Sequence, residues 1–222
     1  MNYEFQFHYV QQALPQLLEG LQVTIQLTVI ANVIALTLGF VIALLVLSRY
    51  WFVRAPFMLL IEFFRCTPVL VQILWFFYCV PILFGIYIDP LPMGILALGL
   101  NLACFNAEAY RAAIQSVPRE QVDAGVALGF SPLQRIRYVV FPHAFRGALP
   151  VLITNGITLF QQSALVALVA LTDLMYVGKQ VATQTYRPIE TYTVVALIYF
   201  AIAFPVSRIA AWIEHRLDTA RA

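Results

Sequence analysis

The sequence predicts an all-α integral membrane protein with five transmembrane helices. Of its 222 residues, 62% are hydrophobic and 11% are charged, whereas roughly 25% of the residues in ordinary soluble domains carry a charge. The apolar runs are long enough to cross a bilayer, and Leu21–Leu47 alone is 27 residues without a charge. Because a span in lipid must satisfy its own backbone hydrogen bonds, we predict helices.

The predicted spans belong to a single transmembrane domain that covers residues 1–222. They lie at about residues 20–48, 56–84, 91–115, 146–171 and 190–213. A polar loop of residues 116–142 separates the third span from the fourth.

The distribution of basic residues sets the predicted orientation. Five spans put the two termini on opposite sides, with Lys179 and Arg187 on one side and Arg65 inside a span. The other ten basic residues share the opposite side: Arg49, Arg54, Arg111, Arg119, Arg135, Arg137, Arg146, Arg208, Arg216 and Arg221. Since basic residues accumulate in cytoplasmic loops, we predict an external N-terminus, a cytoplasmic C-terminus and a cytoplasmic 116–142 loop.

The first half of this loop predicts a short helix that ends at a glycine. Pro118 suits the first turn of the helix, with Ser116 or Val117 as its cap. Gly129 suits the left-handed position that follows a helix C-terminus.

The second half of the loop predicts another short helix. Ser131, Pro132 and Gln134 fit the N-cap, the first helical position and the capping-box position. We expect this helix to run to about Val140 and to stop at Pro142. Two capped, charged helices between membrane spans indicate a soluble partner on this face.

Charged residues inside the predicted spans form two pairs at a spacing of three. Glu62 precedes Arg65 in the second span, and Glu108 precedes Arg111 in the third. Charges in lipid are costly, so they should face the protein interior and pair. One interpretation is two intrahelical ion pairs. The other is that Arg65 or Glu108 contacts the carboxylate or ammonium group of a zwitterionic amino acid.

Uncharged polar residues also interrupt the spans. Gln22 and Gln26 share one face of the first span, where they either join helices or line a pathway. Further candidates for the substrate pathway or for a subunit contact lie near the midplane. They are Gln72, Asn101, Asn155, Thr158, Gln161, Gln162 and Ser163. The three cysteines have no metal-ligand spacing.

Several motifs of this chain occur in the same order in one known family. The segment Phe64–Gln72 resembles the family's Phe-Arg-Gly-Thr-Pro-Leu-Leu-Val-Gln, with Cys66 in place of the first Gly. Asp123-Ala124-Gly125, followed by Gly129, resembles the family's Glu-Ala-Ala-x-x-x-Gly loop. The chain is therefore similar to permease subunits of bacterial ABC importers, in their polar amino-acid branch. One departure is Gln161–Ala164, where many members have Lys-Asp-Thr-Ser.

The resemblance implies the type I importer permease fold and a set of partners. These are a cytoplasmic ABC ATPase dimer, a second permease subunit in a homodimer or heterodimer, and an extracytoplasmic substrate-binding protein. ATP and Mg²⁺ would bind to the ATPase, and this non-catalytic chain would hold no cofactor of its own. The residues implied in ATPase coupling are Glu120, Asp123, Ala124, Gly125, Gly129 and Leu133.

The expected cargo is a polar amino acid or a related compound such as an opine, carried across the bacterial cytoplasmic membrane. The alternative is a secondary transporter or channel that works without ATP. The sequence has no P-loop spacing, so ATP would have to be hydrolysed by another chain. A membrane-embedded enzyme would need a nucleophile–base or metal-ligand constellation in the spans, and the sequence predicts none.

Overall fold

The structure, a computed structural model, describes residues 5–219, and for residues 218 and 219 it describes the backbone alone. Every regular element in this range is helical. The elements are α1 (His8–Val46), α2 (Trp51–Cys66), α3 (Val69–Leu74), a first π-helical turn (Trp75–Cys79), α4 (Val80–Phe84), α5 (Pro90–Gln115), α6 (Arg119–Ala127), α7 (Pro132–Arg135), a second π-helical turn (Ile136–Val140), α8 (Phe141–Gln162), a 3₁₀ segment (Ser163–Val169), α9 (Leu174–Thr185) and α10 (Pro188–Thr219).

Four described helical stretches are long and apolar enough to cross a membrane. They are His8–Val46, Pro90–Gln115, Pro132–Val169 and Pro188–Leu217. The pair Trp51–Cys66 and Val69–Phe84 makes a fifth span only if its bend is allowed within one crossing. The prediction of an all-helical membrane protein is therefore confirmed, with four or five candidate spans.

The first helix begins earlier than the sequence predicts. We expected a span from about residue 20, but α1 is continuous from His8 and accommodates Pro15. Val10 and Leu17 are buried in a cluster with Leu174 and Val195. This tertiary packing stabilises the helical segment that precedes the predicted span.

The second predicted span is interrupted at Thr67 and Pro68. Thr67 is extended, with φ −105° and ψ 141°, because the ring of a proline disfavours helical geometry in the residue before it. Helix α2 therefore ends at Cys66 and α3 begins at Val69. The expectation of one uninterrupted helix over residues 56–84 is wrong at this point.

Pro142 does not end a helix, contrary to the sequence prediction. The chain is helical without interruption from Pro132 to Val169. A proline ring clashes with the carbonyl four residues earlier, and the second π-helical turn relieves this by widening the helix. Within that turn the Phe141 N–H donates to the Ile136 carbonyl five residues back. The first π-helical turn precedes Pro81 by the same spacing.

The predicted cap of α6 is also wrong. Pro118 itself occupies the N-cap position, and no side chain caps the helix. The Ser116 hydroxyl instead donates to the Ala113 carbonyl at 2.9 Å. Because this bond lies within the end of α5, Ser116 completes the preceding helix.

The described residues divide into two compact units, and the prediction of a single domain stays a prediction. Unit 1 contains residues 5–32, 68–99 and 157–206. Its core includes Val10, Leu17, Leu174 and Val195. The Gly178 position lets α9 and α10 approach closely, since a Cβ there would lie 2.7 Å from Val195.

Unit 2 contains residues 33–67, 100–156 and 207–219. Its core includes Ala113, Ala144, Ala148 and Leu152. The three alanines let membrane helices pack at short distance. Gly39 serves the same purpose, because a Cβ there would lie 2.8 Å from the Ala103 carbonyl oxygen.

We expect Gly39→Ala to destabilise the fold by roughly 1–3 kcal/mol, because the atom it meets belongs to the backbone and cannot move aside. Gly94→Ala is the matched control, since its Cβ would meet the end of the flexible Leu27 side chain at 3.1 Å. Thermal unfolding of the purified variants in detergent measures the difference. Equal midpoints for the two variants would contradict the close packing at Gly39.

Candidate functional site

The turn between α6 and α7 is built by a left-handed glycine, as the sequence predicts. Gly129 has φ +78°. The Phe130 N–H donates to the Gly125 carbonyl at 3.0 Å, and the Gly129 N–H donates to the Val126 carbonyl at 2.9 Å. These two bonds define a Schellman motif, which satisfies carbonyls at the helix end.

The capping box of α7 is also confirmed. The Gln134 N–H donates to the Ser131 hydroxyl at 3.4 Å, and the Ser131 N–H donates to the Gln134 side-chain oxygen at 2.8 Å. Together with the Schellman motif, this reciprocal pair fixes the angle between the two loop helices.

The loop presents apolar side chains to its surroundings. Leu128 and Leu133 are 73% and 74% exposed, and Glu120, Asp123 and Ala124 are exposed beside them. We call this set of five residues the loop surface. A charged loop with two fully presented leucines has the composition of a docking surface.

Gly125 differs from the rest of the predicted coupling residues because it is buried. A Cβ there would contact Arg135, Val139 and Phe130 at 3.4–3.6 Å. Its small size therefore serves packing within the loop. A role of Gly125 in coupling stays a prediction.

Unit 2 contains a cavity of about 440 Å³ that gathers three of the predicted pathway residues. Arg65, Glu108 and Asn155 line it, together with Phe105, Ser116 and Val151. Its volume lies in the range of small-molecule sites, about 300–1,000 Å³. The cavity is thus large enough for an amino acid.

Arg65 is positioned by the way α2 ends. Pro68 has no N–H, so the carbonyl of Phe64 cannot form its helical hydrogen bond. The buried Asn101 amide of α5 donates to that carbonyl instead, at 3.4 Å. This bond joins the end of α2 to α5, one residue before Arg65.

The charge of Glu108 is neutralised within its own helix. Its two carboxylate oxygens accept from Arg111 Nη2 and Nε at 2.5 and 2.8 Å, and Arg111 also donates to Gln115 at 2.7 Å. Such a bidentate pair is strong and geometrically specific. The predicted intrahelical pair is therefore confirmed in α5.

The equivalent pair in α2 is not formed. The ion pairs found within the described residues are Arg111–Glu108 and Arg187–Glu190, and Glu62 instead accepts from the Cys66 thiol at 3.7 Å. The guanidinium of Arg65 lies over the Phe105 ring, 5.8 Å from its centroid. Glu62 and Arg65 have the spacing of an intrahelical pair, but the Arg65 side chain turns away from Glu62 and lines the cavity beside α5.

A buried amide pair lies beside the cavity. Asn155 donates to the Asn106 side-chain oxygen at 3.0 Å. Asn106 is completely buried, and its own amide nitrogen has no partner among the described residues. Asn155 therefore joins α8 to α5 and presents the rest of its amide to the cavity.

The remaining pathway candidates belong to unit 1, and they have different environments. Gln72 and Ser163 are buried, and the Ser163 hydroxyl donates to the Phe160 carbonyl at 2.7 Å. Thr158 and Gln161 are exposed, and Gln162 is half-buried. Their role in a pathway stays a prediction.

Sequence analysis gave no role to Asp173, a buried acidic residue that caps α9 outside the candidate spans. One carboxylate oxygen accepts from the Tyr176 N–H at 2.9 Å, and the other has no partner among the described residues. Burial raises the pKa of Asp173 to about 6, although hydrogen bonds from the backbone of Tyr176 and Met175 lower it. The signal was available, since Asp is a preferred N-cap residue.

Thr24 of α1 completes this cap. Its hydroxyl accepts from the Leu174 N–H at 3.0 Å and donates to the Gly20 carbonyl at 3.1 Å. A Cβ at Gly20 would lie 2.9 Å from the Asp173 carbonyl oxygen. The start of α9 is therefore held tightly against α1.

Comparison with known proteins identifies relatives along almost the whole chain. The family described as "Binding-protein-dependent transport system inner membrane component" matches residues 9–219. The glutamate/aspartate import permease protein GltK of Escherichia coli O6:H1 is 30% identical, over 96% of this chain and 99% of the relative. The arginine transport system permease protein ArtQ of Bacillus subtilis is 31% identical, over 99% of both chains.

Solved structures agree with this match. A chain from the crystal structure of an amino acid ABC transporter with histidines has a TM-score of 0.90 and 31% identity. The match covers 96% of this chain and 100% of that chain. A chain of the MetNI methionine ABC transporter in an inward-facing conformation has a TM-score of 0.71 at 21% identity, and it shares the fold.

The buried cap leads to a pH-dependent prediction. Because the pKa of Asp173 is about 6 in the folded protein and 3.8 in the reference state, the parent protein should lose stability as the pH rises from about 4 to 6. Asp173→Asn keeps the cap without the buried charge, so its thermal midpoint should exceed that of the parent at pH 7.5 and converge with it near pH 4.

Asp173→Ala is the control for the cap itself. It should be less stable than Asp173→Asn by about 0.5–2 kcal/mol at every pH, because it removes the acceptor for the Tyr176 N–H. A parent protein more stable than Asp173→Asn at pH 7.5 would mean that the buried carboxylate is paired and not penalised.

Proposed function

Because this chain belongs to the family of binding-protein-dependent transport system inner membrane components, we propose that it forms one half of the membrane pathway in an ATP-driven importer. It is a multi-pass inner-membrane permease subunit of an ABC transporter for amino acids, as its relatives are. The cargo is a polar amino acid or a related compound such as an opine. The family match over residues 9–219 is the observation that carries this function.

The proposed topology has five spans, with α2 to α4 forming one broken span. An odd number of crossings puts the termini on opposite sides. Ten basic residues then lie on the cytoplasmic side, as the positive-inside rule requires. Arg221, one of the ten, lies outside the described residues.

The proposed partners each meet a different part of the importer. A cytoplasmic ABC ATPase dimer binds the loop surface, supplies the ATP and Mg²⁺ sites, and hydrolyses ATP. A second permease subunit completes the pathway, and an extracytoplasmic binding protein delivers the cargo. This chain is non-catalytic and holds no cofactor in this scheme.

The loop surface suits an ATPase contact because it is joined rigidly to a membrane helix. Leu133 lies in α7, and the chain stays helical from Pro132 through Asn155 to Val169. A displacement of α7 by the ATPase would therefore move the cavity wall at Asn155. Alternating access needs such a two-state element, biased here by nucleotide.

The cavity in unit 2 is the proposed contact for the cargo near the cytoplasmic end of the pathway. Glu108 is already neutralised by Arg111, whereas Arg65 lies over the Phe105 ring and forms no ion pair among the described residues. The cavity therefore carries net positive charge, which suits a carboxylate. The other proposed pathway residues are Gln72, Asn101, Asn155, Thr158, Gln161, Gln162 and Ser163.

The second candidate function is a transporter or channel that works without ATP. Purification of the tagged chain from its native membrane in mild detergent distinguishes the two. Recovery of an ABC ATPase in equal amount to total permease supports the importer. Recovery of stable, active permease with no ATPase supports the alternative.

We expect Leu133→Asp to abolish ATPase recovery and ATP-driven uptake while leaving the permease in the membrane. The side chain is 74% exposed, so the substitution should change the free energy of unfolding by less than about 0.5 kcal/mol. Thr183→Asp, at an exposed position of α9, is the matched control and should retain the ATPase. Normal uptake by Leu133→Asp would exclude this residue from the contact.

We expect Arg65→Gln to raise the amino-acid concentration for half-maximal uptake by tenfold or more, because a charge-assisted hydrogen bond contributes about 1.5–3 kcal/mol. Uptake of the best substrate in an amino-acid panel, by the assembled complex in proteoliposomes, measures the change. Arg54→Gln, on the same helix and also exposed, should leave uptake unchanged. An unaltered half-maximal concentration for Arg65→Gln would remove the residue from the cargo site.

A further inference from the structure

Oxygen atoms from four separate parts of unit 1 converge where α9 begins. The hydroxyl of Tyr199, in α10, is directed at Asp173, Ser163 and Thr24. Those three residues are completely buried. The Tyr199 oxygen is buried as well, although the residue as a whole is half-buried. We call these four side chains the polar cluster.

Packing on the ring of Tyr199 restricts the position of its hydroxyl. The ring lies against that of Phe160, with the centroids 5.2 Å apart and 54° between the planes. The backbone carbonyl of Phe160 also accepts the hydrogen bond from the Ser163 hydroxyl, at 2.7 Å. Phe160 therefore positions two members of the polar cluster at once.

Most hydrogen-bond donors of the polar cluster are already used within the protein. Ser163 and Thr24 each donate to a backbone carbonyl of the preceding turn, at 2.7 and 3.1 Å. A hydroxyl has one proton and two lone pairs, and an ionised carboxylate only accepts. The Tyr199 proton is therefore the one donor left in the cluster, whereas Asp173, Ser163 and Thr24 retain acceptor sites.

Two atoms of the polar cluster have no partner in the part of the chain that the structure describes. They are the second carboxylate oxygen of Asp173 and the hydroxyl oxygen of Tyr199. The two side chains face each other without the geometry of a direct hydrogen bond. A buried polar group without a partner is costly, and polar groups just beyond hydrogen-bond reach are commonly bridged by water.

We propose that the polar cluster binds one ordered water molecule, which accepts from the Tyr199 hydroxyl and donates to Asp173 and Ser163. A water supplies the donors that the cluster lacks and an acceptor for the Tyr199 proton. It would make about three hydrogen bonds, the usual number for a buried water. The water joins the start of α9 to α10 and to the 3₁₀ segment, so it is a structural part of unit 1.

A metal cation fits the polar cluster less well than water. It would bind the acceptor oxygens but would leave the Tyr199 proton without an acceptor. A water satisfies both kinds of group. Because water is neutral, it also leaves the buried charge of Asp173 uncompensated, in agreement with the pKa of about 6 for that carboxyl.

Tyr199→Phe tests the proposal, because it removes one partner of the water and keeps the ring that packs on Phe160. We expect its thermal midpoint in detergent to fall by about 2–4 °C, the shift for one lost hydrogen bond in a protein of this size. Tyr192→Phe, at an exposed position of the same helix, is the matched control and should leave the midpoint unchanged. An unchanged or higher midpoint for Tyr199→Phe would overturn the proposal, because the hydroxyl would then have no partner to lose.

A double-mutant cycle distinguishes a bridging water from a direct bond between Tyr199 and Asp173. Ser163→Ala removes a second partner of the same water. The combined variant should therefore lose less than the sum of the two single losses, as expected for residues that share a partner. Additive losses would overturn the water, since a direct bond between Tyr199 and Asp173 does not involve Ser163.

A structure of the full chain at a resolution that shows ordered waters is the direct test. We expect density within hydrogen-bond distance of Asp173, Ser163 and Tyr199, and a direct contact between Tyr199 and Asp173 in its place would overturn the proposal. Thermal unfolding in sodium chloride and in choline chloride tests for a cation. Equal midpoints support water, whereas a sodium-dependent rise that Tyr199→Phe abolishes would place a cation at the cluster and overturn the proposal.

Discussion

A carbonyl that loses its helical hydrogen bond in apolar surroundings must find another donor, and this constraint organises the site. Pro68 removes the donor for Phe64, and the amide of Asn101 replaces it at 3.4 Å. The replacement joins the end of α2 to α5. Arg65 comes next in the chain, so the same bond that repairs the backbone also holds the guanidinium beside Phe105.

At Pro142 the strain that a proline puts on the helix is relieved in a different way. A π-helical turn widens the helix there, and the backbone bond from Phe141 reaches back to Ile136. As a result the chain remains helical from α7 to the cavity. A proline that ended the helix would have separated the loop surface from Asn155 by a flexible connection. The widened turn preserves a stiff connection, which a coupling mechanism needs.

The geometry of local turns and caps was predictable from the sequence, whereas the contacts that other turns and helices contribute were not. The Schellman turn at Gly129 and the capping box at Ser131 depend on residues within six positions of each other, so their pattern specified their geometry. The continuation through Pro142 and the rotation of Arg65 away from Glu62 depend on groups from other turns or helices. The candidate site was therefore predicted as a set of residues, and only the structure selects Arg65, Glu108 and Asn155 as one cavity.

Under the proposed function, the charge balance of that cavity favours contact with the carboxylate of the cargo. Both oxygens of Glu108 are occupied by Arg111 at 2.5 and 2.8 Å, so an incoming ammonium group would have to displace a bidentate partner. Arg65 has its guanidinium over an aromatic face, an arrangement that leaves in-plane N–H groups available to a carboxylate. The α-carboxylate is common to all amino acids. In the proposed role, a site that binds the carboxylate would therefore accept different side chains, and selection among them would fall to contacts outside this cavity.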